Sequence, residues 1–330
     1  MINILELCSG AKTIGISGHV KPDGDCVGST TAMWQFLKKA MPDTKVELIL
    51  QKPSIVFSCI KGYDELIEDI SMLELEETMP QKQYDVMIIC DSIPERTGMG
   101  AEYFKAAKTT INVDHHVSNL GCGMHNYIVP EASSAAELVY DLIEYADPKL
   151  QYMDVEIAKS IYLGMVHDTG VFQYSCTSPK TMRIAAKLME YGFDFSELID
   201  ITFYQKTYVQ NQIMGRAMLE SLRFMDGKCI VSAIDRKTMN FYEATNQDFE
   251  GIVNQLRIIK GIEVAIFMYE TDTLQHKVSL RSNGKVDVSK VATYFGGGGH
   301  VRASGCTMNG TFHDVVNNLS KQIAMQLETV

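Results

Sequence analysis

Four apolar runs in the first half of this chain each end in a carboxylate or an imidazole. Ile14-Gly-Ile-Ser-Gly18 leads into His19-Val-Lys-Pro-Asp23-Gly-Asp25, and Val86-Met-Ile-Ile-Cys90 leads into Asp91. Thr110-Ile-Asn-Val113 leads into Asp114-His115-His116, and an apolar stripe from Val155 to Met165 leads into His167-Asp168-Thr169-Gly170. A short apolar run without alternation is how a central parallel strand reads, because both its faces are buried. In an open parallel sheet the carboxyl ends of the strands converge on one crevice. Side chains collected there can share metal ions and a substrate. Imidazole and carboxylate, with no cysteine in the set, suit Mn²⁺ or Zn²⁺ in hydrolytic chemistry.

The rest of the first half supports that sheet. Residues 28–39 predict a helix, with Met33, Phe36 and Leu37 at helical spacing. Val46 to Leu50 is the next strand, residues 63–78 are helical or irregular, and a helix containing Tyr103 to Ala107 precedes the strand ending in Val113. Ser133 or Ser134 caps one later helix and Asp154 another, in which Val155, Ala158, Tyr162 and Met165 form a buried stripe. Ser178-Pro179 opens a helix running to Met189. Strands alternating with helices mean a wound α/β domain. Its bounds are set at 1–190, with an ordered, aromatic-rich connector at 191–215. From 216 to 330 a smaller α/β domain follows. Its strands are 229–234, 264–269 and 276–280, and its helices are 246–258, 288–294 and 312–327.

Composition excludes several classes. No apolar run reaches transmembrane length, and the first residues lack the basic and apolar segments of a secretory signal, so a cytoplasmic location is expected. The eight cysteines show no pairing rhythm and no C-x-x-C spacing, which predicts free, mostly buried thiols and no structural zinc. A net charge of -11 disfavours long nucleic acid, which calls for a broad basic surface. A small phosphorylated ligand or a few nucleotides need only a local cationic pocket.

The clusters differ in how strongly they speak. His19 and Asp23 can hold one metal and Asp25 a neighbouring one, although Pro22-Asp23-Gly24 alone is equally a plain surface turn. Asp91 alone could simply cap a helix. Asp114-His115-His116 is harder to dismiss, since three such groups behind an apolar strand cost stability if left unpaired. The economical arrangement has one imidazole on metal, the other facing substrate, and Asp114 orienting an imidazole. Gly296-Gly297-Gly298-Gly299-His300 can cradle a phosphate with its amides, or be only a flexible loop. Arg281, at a strand end, can add a bidentate phosphate contact. Trp34, Met214 and Met218 read as packing, and Phe203, Tyr204 and Tyr208 line a domain seam or stack a base, with seam packing favoured. Ser17 makes no triad, and His125 and His276 have no ligand cluster nearby.

Taken in order, His19-x-x-Pro-Asp-Gly-Asp25, Asp91, Asp114-His115-His116, Asp168-Thr-Gly170, Arg281 and Gly296-to-His300 resemble the DHH-DHHA1 phosphoesterases over nearly the whole chain. The resemblance implies a parallel-sheet DHH domain, a smaller DHHA1 domain and an active site in the cleft between them. It also implies two divalent cations, Mn²⁺ above all. His19, Asp23 and Asp91 would hold the first, and Asp25, Asp91, His115 and Asp168 the second. Asp91, His116 and Asp114 would be the catalytic set, with His116 facing the scissile phosphate and Asp114 supporting it. His116, Arg281, Gly297, Gly298, Gly299 and His300 would bind substrate. The compact layout resembles the group of oligoribonucleases that also act as 3'-phosphoadenosine 5'-phosphate phosphatases. This implies short RNA or a small adenine nucleotide as partner, no long duplex, no membrane, and a homodimer as one oligomeric option. The alternatives are a phosphodiesterase for cyclic di-AMP or linear pApA, and an inactive nucleotide-binding module. His167, before Asp168, either tunes the second metal or packs.

Overall fold

The computed structural model describes residues 1–68 and 83–327, and the chain forms two compact units, Met1–Gln205 and Lys206–Val330. The first is built on six strands: β1 (Thr13–Ser17), β2 (Lys45–Leu50), β3 (Ile67–Glu68), β4 (Val86–Cys90), β5 (Thr109–Asp114) and β6 (His125–Ile128). Their order is β3-β2-β1-β4-β5-β6, and every adjacent pair is parallel. The order reverses between β1 and β4, so connections leave that point toward opposite faces and open a crevice beyond the strand ends. His19, Asp91 and Asp114 stand at the ends of β1, β4 and β5, and topology therefore delivers three clusters to one place.

β4 shows why its sequence lacks alternation. Ile88 and Cys90 face a core shared with α2 (Gly24–Ala40), α4 (Ala135–Ala146) and α5 (Val155–Asp168). Met87 and Ile89 face a second core with Tyr103 and Phe104 of α3 (Met99–Ala106). A short α1 (Ile4–Leu7) and the later α6 (Pro179–Met189) and α7 (Phe195–Ile199) complete the layers. The segment expected over 63–78 begins as a turn and enters β3, while residues 69–78 lie outside the described residues. Ser134, Asp154 and Ser178 cap α4, α5 and α6 with their side chains. Val155 leaves the predicted stripe, since at the first turn of α5 it faces solvent. The first long helix starts at Gly24 rather than Gly28. Asp23 caps it by accepting from the amides of Asp25 and Cys26, so what resembled a surface turn is a helix start.

Glycine sets how closely the helices of this unit meet. A Cβ on Gly28 would lie 2.5 Å from the Ser160 carbonyl oxygen. One on Gly164 would lie 2.4 Å from the Ala136 Cβ and 2.7 Å from Asp25 Oδ1. The α2 and α5 backbones therefore touch, and the contact lies directly behind Asp25.

The second unit holds α8 (Tyr208–Leu219), β7 (Leu222–Phe224), β8 (Cys229–Ile234), α9 (Arg236–Tyr242), α10 (Ile252–Arg257), β9 (Val264–Asp272) and β10 (Gln275–Ser282). It continues with α11 (Val288–Tyr294), β11 (Gly298–His300), β12 (Ala303–Asn309) and α12 (Phe312–Leu327). The sheet order is β11-β12-β10-β9-β8-β7, with only β8 and β9 parallel. Three expectations need correction here. Residues 191–215 are not a separate connector, because α7 belongs to the first unit and Ile213 and Ala217 of α8 enter a core of the second. The helix expected over 246–258 is broken at Gly251 (φ 88°) into a 3₁₀ turn, Asn246–Phe249, and α10. Of the two readings of the glycine run, the flexible loop fails over its last part, since Gly298 to His300 form an edge strand on β12. Among the described residues, no helix is long and apolar enough to cross a membrane.

The helix contact can be tested directly. Gly164→Ala places a methyl against Ala136 and Asp25, and it is expected to cost about 1–3 kcal/mol of unfolding free energy, read from urea denaturation.

Candidate active site

The His19 ring is oriented by its own backbone. Its Nδ1 lies 2.9 Å from the Val20 carbonyl oxygen, which only an N–H can satisfy, so Nε2 is left as the nitrogen that could bind a ligand. That Nε2 is 3.4 Å from Asp91 Oδ2 and 3.6 Å from Asp23 Oδ1. Asp91 is buried and has a left-handed backbone (φ 56°), a strained conformation of the kind that gathers at functional sites. Its amide donates to the Val113 carbonyl at 2.9 Å, which pins it beside β5. The other carboxylate oxygen, Oδ1, is 3.6 Å from His115 Nε2 and 3.5 Å from His116 Nδ1. One carboxylate thus presents Oδ2 to one imidazole and Oδ1 to two others.

His115 Nε2 also faces Asp168 Oδ2 at 3.0 Å and Asp25 Oδ2 at 3.8 Å. Asp168 is the last residue of α5, and Asp25 lies in the first turn of α2. The Asp25 carboxylate is fully buried and receives the first two amides of α4, Ala135 at 2.6 Å and Ala136 at 2.9 Å. These helix-end donors fix its orientation and favour its charge.

His116 is arranged differently. Its Nδ1 lies 2.7 Å from Asp114 Oδ1, which also accepts the amides of His115 and His116. Asp114 Oδ2 accepts from the Asn119 amide at 2.6 Å. Asp114 is therefore spent on holding this turn and the His116 ring, whose Nε2 is the edge turned away from Asp114. Asn119 in turn donates to Asn112 Oδ1, and Asn112 Nδ2 donates to the carbonyls of Ile89 and Ser92. The network ties the β4 end, which carries Asp91, to the turn that carries both histidines. Sequence reading overlooked Asn112 and Asn119. The available signal was a lone amide inside the apolar strand Thr110-Ile-Asn-Val113, since a buried amide has to be satisfied.

Electrostatics shows what the cluster lacks. Burial, together with the Asp91 and Asp168 carboxylates, pushes Asp25 well above the usual carboxylate range. Burial and Asp91 raise Asp168, while His115 opposes the shift. Burial disfavours protonation of His115, but the neighbouring carboxylates of Asp168 and Asp91 outweigh it and raise its pKa to about 12. The same contest at His19, with Asp23 and Asp91, also ends in a raised pKa, and His19 holds Asp23 down at about 2 against burial. His116 is raised, chiefly by Asp114. Among the described residues no lysine or arginine is ion-paired with any of these aspartates. Among the described residues the histidines are the groups placed to balance these carboxylates, and a divalent cation would do so better. The donor set, oxygen and imidazole converging on Asp91 from two sides, fits divalent metal ions. Cysteine was not expected in the set, yet Cys26 offers its sulfur within 4.8 Å of donor atoms of His19 and Asp91. Burial keeps it a thiol, raising its pKa to about 11.

In the second unit, strand register aligns the remaining candidates. Arg281 of β10 pairs with Ala303 of β12, and Ala303 pairs with His300 of β11. Directly paired residues share a face, so Arg281 and His300 flank a small alanine on one side of the sheet. Gly297 and Gly299 have a packing reason for lacking a side chain, because a Cβ on either would strike the β12 backbone, at 2.2 Å from the Gly305 oxygen and 2.5 Å from the Ala303 oxygen. A Cβ on Gly298 would meet nothing within 4 Å.

Comparison with known proteins places the chain in a family. Residues 13–165 match the DHH family N-terminal domain, and residues 226–329 match the DHHA1 domain. The chain is 30% identical over 300 residues to the bifunctional oligoribonuclease and PAP phosphatase NrnA of Thermus thermophilus, covering 90% of this chain and 84% of that protein. It is 26% identical over 299 residues to the protein of the same name from Bacillus subtilis, covering 90% and 89%. The crystal structure of an exopolyphosphatase-related protein from Bacteroides fragilis superposes with a TM-score of 0.86 at 26% identity, covering 97% of this chain and 94% of that one. With a parallel-sheet first unit, a mixed-sheet second unit and a divalent-metal donor set at the strand ends, the chain belongs to the DHH family of phosphoesterases that carry a DHHA1 domain.

Proposed function

We propose that the protein hydrolyses short 5'-phosphorylated oligoribonucleotides to nucleoside 5'-monophosphates, and 3'-phosphoadenosine 5'-phosphate to AMP and phosphate. The observation that carries this reading is Asp91, whose Oδ2 faces His19 while Oδ1 faces His115, the geometry of a carboxylate that joins two metal positions. His19, Asp23 and Asp91 would hold one divalent cation, and Asp25, Asp91, His115 and Asp168 the other, with Mn²⁺ the ion of choice for these donors. When bound, such a pair would supply charge neutralisation of phosphate oxygens and a water of lowered pKa.

The chain's own groups do the rest. His116, held through Nδ1 by Asp114, presents Nε2 to the phosphate. Asp114 favours the imidazolium form, which stabilises charge on the reacting oxygens and can protonate the leaving oxygen. Arg281, His300 and the strand with Gly297, Gly298 and Gly299 would bind a terminal phosphate, Arg281 as a fork of donors. The NrnA proteins of Thermus thermophilus and Bacillus subtilis support this choice of substrates by their names. The overall charge of -11 supports short substrates over long polymers.

Protein purified without chelator is expected to bind two Mn²⁺ per chain. The carboxylates around His19 and His115 favour the protonated rings, so Mn²⁺ binding should release protons and its affinity should strengthen as pH rises. Isothermal titration in buffers of different ionisation enthalpy checks both, and a single site at saturation would remove the dinuclear reading. Asp91→Ala should lower kcat/KM more than about 10³-fold, beyond the 10–100-fold typical of outer-sphere changes. Arg281→Ala should lower it about 10–100-fold, mainly through KM. Steady-state kinetics on both variants decides, and near-normal turnover of Asp91→Ala contradicts the bridging role. A panel with Mn²⁺ should favour RNA dimers to pentamers and 3'-phosphoadenosine 5'-phosphate over cyclic di-AMP, pApA, pyrophosphate and long single-stranded DNA. Preference for cyclic di-AMP or pApA would replace the substrate assignment, and preference for pyrophosphate would end the nucleotide reading.

A further inference from the structure

His167 precedes Asp168 at the end of α5, and its side chain does not join the donor cluster. It packs instead against Gly24, the residue between Asp23 and Asp25. A Cβ on Gly24 would fall 2.1 Å from the His167 Cγ and 2.5 Å from both Cδ2 and Nδ1, so the ring lies directly on the backbone at the start of α2. Two aromatic rings hold it there edge-on, Phe57 at 5.3 Å and Phe203 at 5.4 Å between centroids. Its Nε2 is 3.1 Å from the Thr202 hydroxyl oxygen. That hydroxyl donates to the Leu198 carbonyl at 2.7 Å, so it accepts from His167 Nε2–H. Thr202 and Phe203 belong to a π-helical turn, Asp200–Tyr204, an irregularity that recurs at functional sites.

We infer that His167 is a positioning residue for the metal-binding aspartates, wedging the start of α2 so that Asp23 and Asp25 sit at a set distance from Asp168. The physical argument is lever length. Asp23 and Asp25 flank Gly24, on which the ring rests, and Asp168 is the next residue in the chain after His167. A shift of the ring therefore moves three carboxylates relative to one another, whereas most core contacts move none. The glycine contact of Gly28 and Gly164 sets the spacing of α2 and α5 further along the helices. His167 sets it at their ends, where an error of about 1 Å is enough to spoil a ligand shell. The ring acts by shape, and the Thr202 hydrogen bond fixes its orientation.

This inference rests on the metal-site reading above, and the test separates the two. The full chain and its variants are titrated with Mn²⁺ by calorimetry, with near-ultraviolet circular dichroism to show that each is folded. Wild type binding fewer than two ions would count against the metal reading itself. Given two ions in wild type, His167→Ala is expected to weaken at least one site tenfold or more, while His167→Phe, which keeps a ring on Gly24, recovers most of that affinity. Gly24→Ala should also weaken binding tenfold or more, because its methyl meets the ring. Adding His167→Ala to Gly24→Ala removes that clash, so the double variant should bind more tightly than the product of the single losses. The inference is overturned if Gly24→Ala or His167→Ala binds both ions as wild type does, or if the two losses multiply independently. Should His167→Ala not fold, Gly24→Ala and His167→Phe carry the same decision, and loss of affinity in His167→Phe equal to that in Gly24→Ala would overturn it.

Discussion

Crowded negative charge at the end of a parallel sheet is the constraint on which the first unit depends. Asp25, Asp91 and Asp168 gather around His115, and Asp23 and Asp91 gather around His19. Burying carboxylates side by side is costly unless something positive joins them. Much of the surrounding structure can be understood as support for that arrangement. The α4 amides hold Asp25, the β5 carbonyl of Val113 holds Asp91 in a left-handed conformation, and Val20 turns the His19 ring outward. Each of these is a backbone contact, which ties the site to the fold more firmly than a side-chain partner would.

A second tier separates the two histidines that are adjacent in sequence. His115 turns toward Asp168, and His116 is bound by Asp114, so neighbouring imidazoles acquire different surroundings and different chemistry. The chain Asn119, Asn112 and the Ser92 carbonyl then couples the β5 turn to the β4 end. Fully satisfied buried polar networks of this kind rigidify what they connect. The glycines of α2 and α5 serve the same end by letting two backbones touch behind the aspartates.

The second unit uses glycine for another purpose. Gly297 and Gly299 let the edge strand β11 lie against β12 without colliding with its backbone. That packing requirement, rather than flexibility, explains two members of the run, and it also carries His300 into register with Arg281. Gly298 has no such requirement, and its open side is free for a ligand to approach.

Much of this was legible in the sequence. Unbroken apolar runs ending in Asp or His announced buried parallel strands and a polar crevice at their ends, because only that topology reconciles such runs with such termini. Caps at Asp154 and Ser178 were readable because a helix start needs a local acceptor, and structure chose Ser134 over Ser133 for α4. Other features depend on partners distant in the chain. Asp23 reads equally as a turn until α2 is seen to begin at Gly24, and the glycine run reads as a loop until β12 lies beside it. Asn112, Asn119 and Cys26 gain meaning only from what surrounds them. The role of His167 was undecidable from sequence, since its contacts come from Gly24, Phe57 and Thr202. Local chemistry and periodicity determined which residues could act and placed Asp91, His115 and Asp168 at the ends of apolar elements. Tertiary structure alone decided their distances, their ring orientations and which carboxylate faces which imidazole, because those follow from packing between segments that the chain keeps far apart.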